Sequence, residues 1–193
     1  MAKTQKIIEA AITVFSRDGL EKGKIADIAV EAGIGKGTIY EYFSSKEDIF
    51  AAIETHMVDH LVTSVFTAAQ QAGSAEEKLK TIFDLSVKGM LHLGDALLIV
   101  TEILTRNARG HIFSDRQSPM SEMYTRYRQA VETILQEGME SGEFRTLNPA
   151  GSAALFMAFI DGIVWQYVFM PDKDLFNRML RESLESYLRG IRK

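Results

Sequence analysis

Two groups of residues have types and spacings that could support chemistry. Residues 33–38, Gly-Ile-Gly-Lys-Gly-Thr, combine glycine and lysine as phosphate-binding loops do, but they lack the spacing of such a loop and no strand pattern precedes them. His56 and His60 lie one helical turn apart with Asp59 beside them, which is a spacing that suits metal ligands. The alternative for this group is an exposed polar helix face, and we predict no metal site.

The composition narrows the function classes further. The chain has 193 residues, of which 46% are hydrophobic and 25% charged, as in an ordinary folded protein. It has no cysteine, which excludes a disulfide scaffold, a thiol nucleophile and a zinc–thiolate site. No Ser-His-Asp order has supporting context, so we predict that the protein is not an enzyme and uses no cofactor. A net charge of −4 argues against coating nucleic acid through bulk positive charge but allows a local DNA-reading surface.

No segment is predicted to cross a membrane or to direct export. Residues 1–15 are interrupted by polar side chains and lack the small-residue cleavage site of a signal peptide. Residues 153–170 are apolar apart from Asp161, Gly162 and Gln166, but they are at the lower length limit of a span and carry a carboxylate near the centre. We interpret this segment as a helix buried on nearly all sides, and we expect a cytoplasmic protein.

The spacing of apolar residues is helical nearly everywhere and predicts an all-α fold. A serine with an acid three residues later occurs within residues 44–48 and again at Ser74 and Glu77, and Asn148 precedes a first-turn proline; all three patterns are typical of helix starts. We predict three small helices followed by about six longer ones, over residues 7–19, 25–32, 36–43, 44–72, 74–93, 95–107, 119–142, 148–170 and 172–189.

Residues 24–43 hold the most informative pattern, in which a Gly-Ile-Gly turn joins two short helices as in a helix-turn-helix. We predict that Gly33 adopts positive φ, that Ile34 enters the core and that Ala29 allows close helix approach. The alternative is a helical hairpin that only packs.

The second helix of this motif has two different faces. Helical spacing places Ile39 and Phe43 together on a buried face. The opposite face and its flanks carry small, hydroxyl and acidic residues, namely Gly37, Thr38, Tyr40, Glu41 and Tyr42. Small residues allow close approach to a DNA groove, and tyrosine hydroxyls reach phosphates.

The stretch AGIGKGTIYEYFSSKEDIF, with Asp27-Ile28-Ala29 before it, resembles the amino-terminal domain of the TetR (tetracycline-repressor-like) family of transcriptional regulators. The resemblance implies a helix-turn-helix domain over residues 1–48 and a ligand-binding and dimerisation domain over residues 49–193. It also implies a homodimer that binds a palindromic DNA operator, more often as a repressor than as an activator, and that is released by a small, largely apolar effector.

The resemblance assigns DNA contacts to individual residues. Those at matching positions are Lys36, Gly37, Thr38, Tyr40, Glu41, Tyr42 and, as a phosphate contact at the start of the fourth helix, Lys46. Lys24 and Gly35 stand where the family usually has hydroxyl residues at helix caps, so hydroxyl–phosphate contacts are not expected there, and Lys24 supplies an ionic contact instead. Residues 1–46 hold seven Lys or Arg against six acids, which predicts moderate, salt-sensitive binding.

The later helices suggest an apolar ligand pocket and a dimer interface. The pocket candidates are Met90, Leu97, Phe113, Met123, Tyr127, Phe156, Phe159, Ile160 and Trp165, each of which could instead belong to the plain core. The last two helices are apolar on more than one face, which an intersubunit four-helix bundle would bury. The interface candidates are Ala154, Ala158, Asp161, Leu180, Leu184 and Leu188.

Two other function classes remain open on the sequence. The helix-turn-helix could belong to an architectural or protein-interaction module without a small-molecule signal. The protein could also be a helical enzyme or carrier in which the motif is incidental.

Overall fold

A computed structural model of the protein describes residues 3–92, 94–113, 118–170 and 172–193. In these ranges the chain forms nine α-helices: α1 (Lys3–Lys22), α2 (Ile25–Glu31), α3 (Lys36–Tyr40), α4 (Lys46–Gln70), α5 (Ala75–His92), α6 (Leu97–Phe113), α7 (Pro119–Ser141), α8 (Pro149–Phe169) and α9 (Lys173–Ile191), with a 3₁₀ turn at Gly94–Ala96 before α6. An antiparallel bridge joins Phe144 and Arg192. The all-α prediction is confirmed.

Side-chain caps start four of these helices, and three of the four were predicted from the sequence. Ser45 Oγ accepts a hydrogen bond from the Asp48 amide at 3.0 Å. Ser74 Oγ accepts one from the Glu77 amide at 3.1 Å, and the Glu77 carboxylate accepts one in return from the Ser74 amide. The Asn148 and Asp172 side chains cap α8 and α9 in the same way. These local signals therefore place the helix starts correctly.

Three helices end three or more residues away from the predicted position. Gly19, with φ of 75°, interrupts α1 as expected, but helical structure resumes and continues to Lys22. The recognition helix α3 ends at Tyr40 rather than residue 43, since the Tyr42 and Phe43 amides both donate to the Ile39 carbonyl in a tight final turn. Helix α6 extends past residue 107 to Phe113. Pro171, predicted to close α8, lies outside the described residues.

The chain packs as two compact units, one of Met1–His60 with Leu93–Glu122 and one of Leu61–His92 with Met123–Lys193. In the first unit, Ile99 and Ile103 of α6 are buried in the same core as the apolar faces of α1 to α4. The core of the helix-turn-helix therefore uses residues far along the chain. The predicted functional boundary after residue 48 stays a prediction, because packing units and functional domains need not coincide.

Polar contacts also join α4 to α6 and to the start of α7 within the first unit. The Glu54 carboxylate accepts hydrogen bonds from the Asn107 amide group at 3.0 Å and from the Met120 backbone amide at 3.3 Å. The Arg106 guanidinium lies 4.7 Å from the centre of the Phe50 ring, which is a cation–π contact. These contacts fix α6 and the first turn of α7 against α4.

The second unit is built on stacked aromatic side chains. Phe83 stacks on Phe159 with ring centres 5.0 Å apart, and Phe156 contacts both Phe83 and Tyr187. The Arg192 guanidinium at the end of the chain binds the carboxylates of Glu76 and Glu185. Hydrogen bonds from Arg192 and, to a smaller extent, from Lys80 lower the pKa of Glu76 to about 2.

Gly138 provides a stability test of this packing. An added Cβ there would overlap the Phe144 ring, whereas one at Gly190 would meet no atom within 4 Å. We expect Gly138→Ala to destabilise the protein by about 1–3 kcal/mol through overpacking. Gly190→Ala, the control, should leave stability unchanged or raise it slightly through helix propensity. Chemical denaturation compares the two, and equal midpoints would contradict the packing of Phe144 on α7.

Candidate nucleic-acid interface

The turn between α2 and α3 is fixed by backbone hydrogen bonds. The Ile34 amide donates to the Ala29 carbonyl and the Gly33 amide to the Val30 carbonyl, both at 3.0 Å, which is the pattern of a Schellman helix end. Gly33 has φ of 61°, as predicted from the sequence. Ala29 is buried and Ile34 packs against the first core. The turn therefore sets the angle at which α3 leaves α2.

Helix α3 presents one apolar anchor to the core and a polar face to solvent. Ile39 is fully buried and Phe43 is buried behind it. The Tyr40 and Tyr42 rings are about half exposed, at 50% and 43%. An added Cβ at Gly37 would meet no atom within 4 Å, so a DNA backbone or base edge has room to approach there. This division agrees with the faces predicted from helical spacing.

The starts of α2 and α3 carry no side-chain caps. Lys24 and Gly35 are the N-cap residues, both have extended backbones, and neither side chain bonds to its helix. The third amide of each helix donates to the cap carbonyl, Asp27 to Lys24 and Thr38 to Gly35, whereas the first two amides have no acceptor on a cap side chain. Amides in this position favour negatively charged groups such as phosphate.

A cleft of about 770 Å³ lies beside these two helix starts. It is formed by the end of α1, the start of α2, α3 and the start of α4. Its lining residues are Glu21, Lys22, Gly23, Lys24, Ile25, Ala26, Lys36, Tyr40 and Lys46. Four lysines against one glutamate give this part of the surface a positive charge that the whole-chain balance conceals. The Lys36 ammonium lies 5.9 Å from the centre of the Tyr40 ring.

Lys46 differs from the other lysines of the cleft, because its ammonium binds backbone carbonyls. Its Nζ donates to the carbonyls of Leu20 at 2.6 Å, Glu21 at 2.9 Å and Gly23 at 3.3 Å. The phosphate contact predicted for Lys46 competes with these three hydrogen bonds.

Glu41 lies on the exposed side at the end of α3. Among the described residues, its carboxylate has no hydrogen bond or ion pair. Among these residues Glu41 therefore forms no ion pair with a lysine. Such a pair would have occupied its carboxylate and kept it from contacting DNA. The carboxylate remains available to a ligand of the α3 face.

The pocket candidates do not form one uniform group. Tyr127, Phe156 and Ile160 are buried in the second core, and Phe159 stacks on Phe83. Met90, Leu97 and Met123 are half-buried. Trp165 is 45% exposed and stacks on the exposed Phe169, which places it on the surface of its unit rather than inside an apolar pocket. The side chain of Phe113 lies outside the described residues.

Two polar pairs lie among these apolar residues. The Tyr124 hydroxyl donates to the Asp161 carboxylate at 3.0 Å, and the Ser86 and Tyr127 hydroxyls are hydrogen-bonded to each other. Desolvation raises the pKa of Asp161, and burial raises the pKa of Tyr127 to about 12. Asp161 thus has a partner within its own subunit. Gln166, the other polar side chain of this segment, is exposed.

One face of α8 exposes a continuous apolar stripe. Its members recur at intervals of three and four residues and are Leu155, Ala158, Trp165 and Phe169, with the half-buried Gly162 between Ala158 and Trp165. Leu155 is 61% and Phe169 77% exposed, and Ala154 is also exposed beside them. On α9 the exposed apolar residues are Leu175 and Met179. We name these exposed residues of α8 and α9 the apolar stripe.

The structure changes the predicted dimer interface in one respect. Leu188 is fully buried in the second core, so it cannot contact another subunit. Leu180 and Leu184 pack against the same core while remaining partly exposed. The sequence prediction omitted Leu155, Phe169, Leu175 and Met179 because both helices are apolar on more than one side. The spacing of these residues at intervals of three and four is the sequence pattern from which they could have been predicted.

Other predicted features can be tested only in part. No helix of the described residues is long and apolar enough to span a membrane. Within the same residues no cluster of three potential metal ligands is present, and the side chain of His60 is not among them. The His56 ring lies 3.4 Å from the Gln5 amide group.

Two family models match the chain. Residues 7–53 match "Bacterial regulatory proteins, tetR family", and residues 117–192 match "BetI-type transcriptional repressor, C-terminal". The fatty acid metabolism regulator protein of Bacillus subtilis is 28% identical over 191 residues, covering 98% of this chain and 95% of that protein. The first match contains every residue that we assign to the DNA-binding surface.

Solved structures share the fold over the whole chain. The transcriptional regulator FadR from Bacillus subtilis, in complex with stearoyl-CoA, is similar with a TM-score of 0.70 and 26% identity, covering 97% of this chain and 98% of that one. A TetR transcription regulator from Haloarcula marismortui aligns with a TM-score of 0.84, covering 99% and 98%, at 19% identity. The second similarity concerns the fold alone.

Proposed function

The chain belongs to the tetR family of bacterial regulatory proteins. From this premise we propose that it is a repressor that binds a palindromic DNA operator as a homodimer. We propose further that a small, largely apolar effector releases it from the operator. We also propose that the protein is located in the cytoplasm and that it is not an enzyme.

The exposed face of α3 is the observation that carries the DNA-binding proposal. Ile39 anchors the helix while Lys36, Tyr40 and Tyr42 remain accessible around the open backbone at Gly37. In a helix-turn-helix this face enters the major groove, and the residues at its edges contact phosphates. The uncapped starts of α2 and α3 offer backbone amides to phosphates on either side.

Glu41 provides the sharpest test of base reading. A carboxylate repels phosphate, but in the major groove it can accept a hydrogen bond from the N4 amine of cytosine, which discriminates against other bases by about 1–3 kcal/mol. We expect Glu41→Gln to relax the preference at one base pair per half-site and to bind random DNA more tightly. Selection from a random DNA pool measures both proteins under the same conditions. Identical selected sequences would contradict base reading by Glu41, and no selected sequence for the wild type would contradict operator binding itself.

The apolar stripe supports the homodimer proposal. Large exposed residues such as Leu155 and Phe169 cost free energy in water, and a second copy of the same surface would cover them. Ala154, Ala158 and Gly162 are small enough for two α8 helices to approach closely. Pairing two α3 helices on a palindrome also requires a twofold assembly.

Paired leucine substitutions test the dimer. Leu155 and Leu98 are exposed to nearly the same extent, 61% and 64%, but only Leu155 belongs to the apolar stripe. Sedimentation at micromolar concentration should give about twice the 21.6 kDa chain mass for the wild type and for Leu98→Glu. Leu155→Glu should sediment as a monomer, because its charge would be desolvated in the interface. A dimeric Leu155→Glu protein would place the interface elsewhere.

The second unit supports an apolar effector. Its core is rich in aromatic side chains, and the relative of 26% identity was solved with stearoyl-CoA. We propose the acyl chain of such a molecule as the group recognised, with Met90, Met123, Phe159 and Tyr127 as the pocket residues of this unit.

Ligand stabilisation tests this effector class. At 100 times its Kd, a ligand that binds only the folded protein adds about 2.7 kcal/mol to the free energy of unfolding. We expect stearoyl-CoA to raise the thermal midpoint and to release DNA, and coenzyme A without the acyl chain to do neither. Equal effects of the two would contradict recognition through the acyl chain. No effect of either would direct the search to another chemical class.

A further inference from the structure

We propose that Lys6, near the start of α1, contacts a DNA phosphate on the side of the major groove opposite to the lysine-lined cleft. The inference rests on the proposed DNA-binding function, and it adds a residue that lies outside both the helix-turn-helix motif and the cleft. The Lys6 side chain is exposed, and its ammonium lies 3.9 Å from the position that a Cβ on Gly33 would occupy. A cation therefore stands beside the turn that leads into the recognition helix.

No acid neutralises this cation within the part of the chain that the structure describes. Lys6 forms no ion pair there, and the first turn of α1 contains no acidic residue. The next acid along α1 is Glu9, whose carboxylate accepts a hydrogen bond from the Gln5 side-chain amide at 3.0 Å. The Lys6 ammonium is therefore available to an anion that approaches the turn.

The antiparallel arrangement of α1 and α2 places Lys6 and the cleft at opposite ends of α2. The end of α1 is joined to the start of α2 by Gly23 and Lys24 alone, and both of these residues line the cleft. Lys6 belongs to the start of α1, yet it lies at Gly33, which follows the end of α2. The two helices therefore run in opposite directions, with a lysine at each end of α2.

The length of α2 separates these cations by about the width of the groove. At a rise of 1.5 Å per residue, the helix and its flanking residues from Lys24 to Gly33 span about 13 Å. The major groove of B-DNA is about 12 Å wide and has a phosphate backbone along each edge. In a helix-turn-helix the second helix enters this groove while the first lies across the backbone. Lysines at both ends of α2 therefore match the two backbones that border the groove.

Salt titration counts the phosphate contacts on the duplex that the wild-type protein selects from a random pool. The slope of log K against log salt changes by about 0.9 for each phosphate neutralised, so the loss of one contact per subunit of a dimer reduces it by about 1.8. We expect this reduction in Lys6→Met. Lys6→Arg keeps the charge and should keep the wild-type slope. Lys193→Met, the same change at an exposed lysine of the second unit, should keep it as well.

Ethylation interference locates the contact on the same duplex. We expect Lys6→Met to lose interference at one phosphate per half-site, on the strand across the major groove from the phosphate that Lys46→Met loses. An uncharged methylphosphonate at the Lys6 phosphate should then weaken binding by the wild type but not by Lys6→Met. This second measurement changes the DNA and not the protein, so it does not depend on the folding of a variant.

The outcomes separate the contact from a structural role and from the proposed function. If Lys6 only supported the turn at Gly33, Lys6→Met would lower the thermal midpoint and leave the salt slope unchanged, which would overturn the proposal. Loss of interference on the same backbone as in Lys46→Met would also overturn it. If the wild type selects no duplex, the proposed function fails and the contact fails with it. If the wild type selects one and Lys6→Met binds it with an unchanged slope, only the assignment of Lys6 fails.

Discussion

The burial of Ile39 is the contact on which the DNA-reading surface depends. A helix of five residues does not persist in water by itself, because nucleation costs more than so few hydrogen bonds return. Helix α3 exists because Ile39 is fully buried in the first core and because the turn at Gly33 delivers it at a fixed angle. Because Ile39 faces the core, Lys36 and Tyr40 lie on the opposite, exposed side of the helix. Recognition is thus a consequence of core packing.

Local chemistry explains which parts of the fold the sequence could predict. Ser45, Ser74, Asn148 and Asp172 cap helices through atoms three residues away, so their effect can be read without knowing the fold. The end of α6 could not be predicted in this way, because Arg109, Gly110 and His111 interrupt the apolar spacing although the helix continues to Phe113. Nor could the end of α3, which is set by a turn that packs Phe43 into the core.

The candidate sites show the same limit at longer range. Helix α8 is apolar on every side, so its composition predicts burial but does not reveal that Trp165 faces outward while Phe156 faces inward. Leu188 looked like an interface residue for the same reason, although it is core. Lys46 was assigned by its position at a helix start, but its acceptors come from the end of α1, and no spacing rule connects residues 23 to 26 positions apart.

The order of the two units along the chain bears on how an effector could influence DNA binding. The boundaries between the units at residues 60 and 122 both fall inside helices, α4 and α7. The chain therefore passes between the units within continuous helical segments at these two points. Glu54 binds the first turn of α7 and a side chain of α6, so both continuous helices meet in the first unit at one carboxylate. A ligand that binds one arrangement of these helices better than another would shift the population of the DNA-binding form by its differential affinity alone.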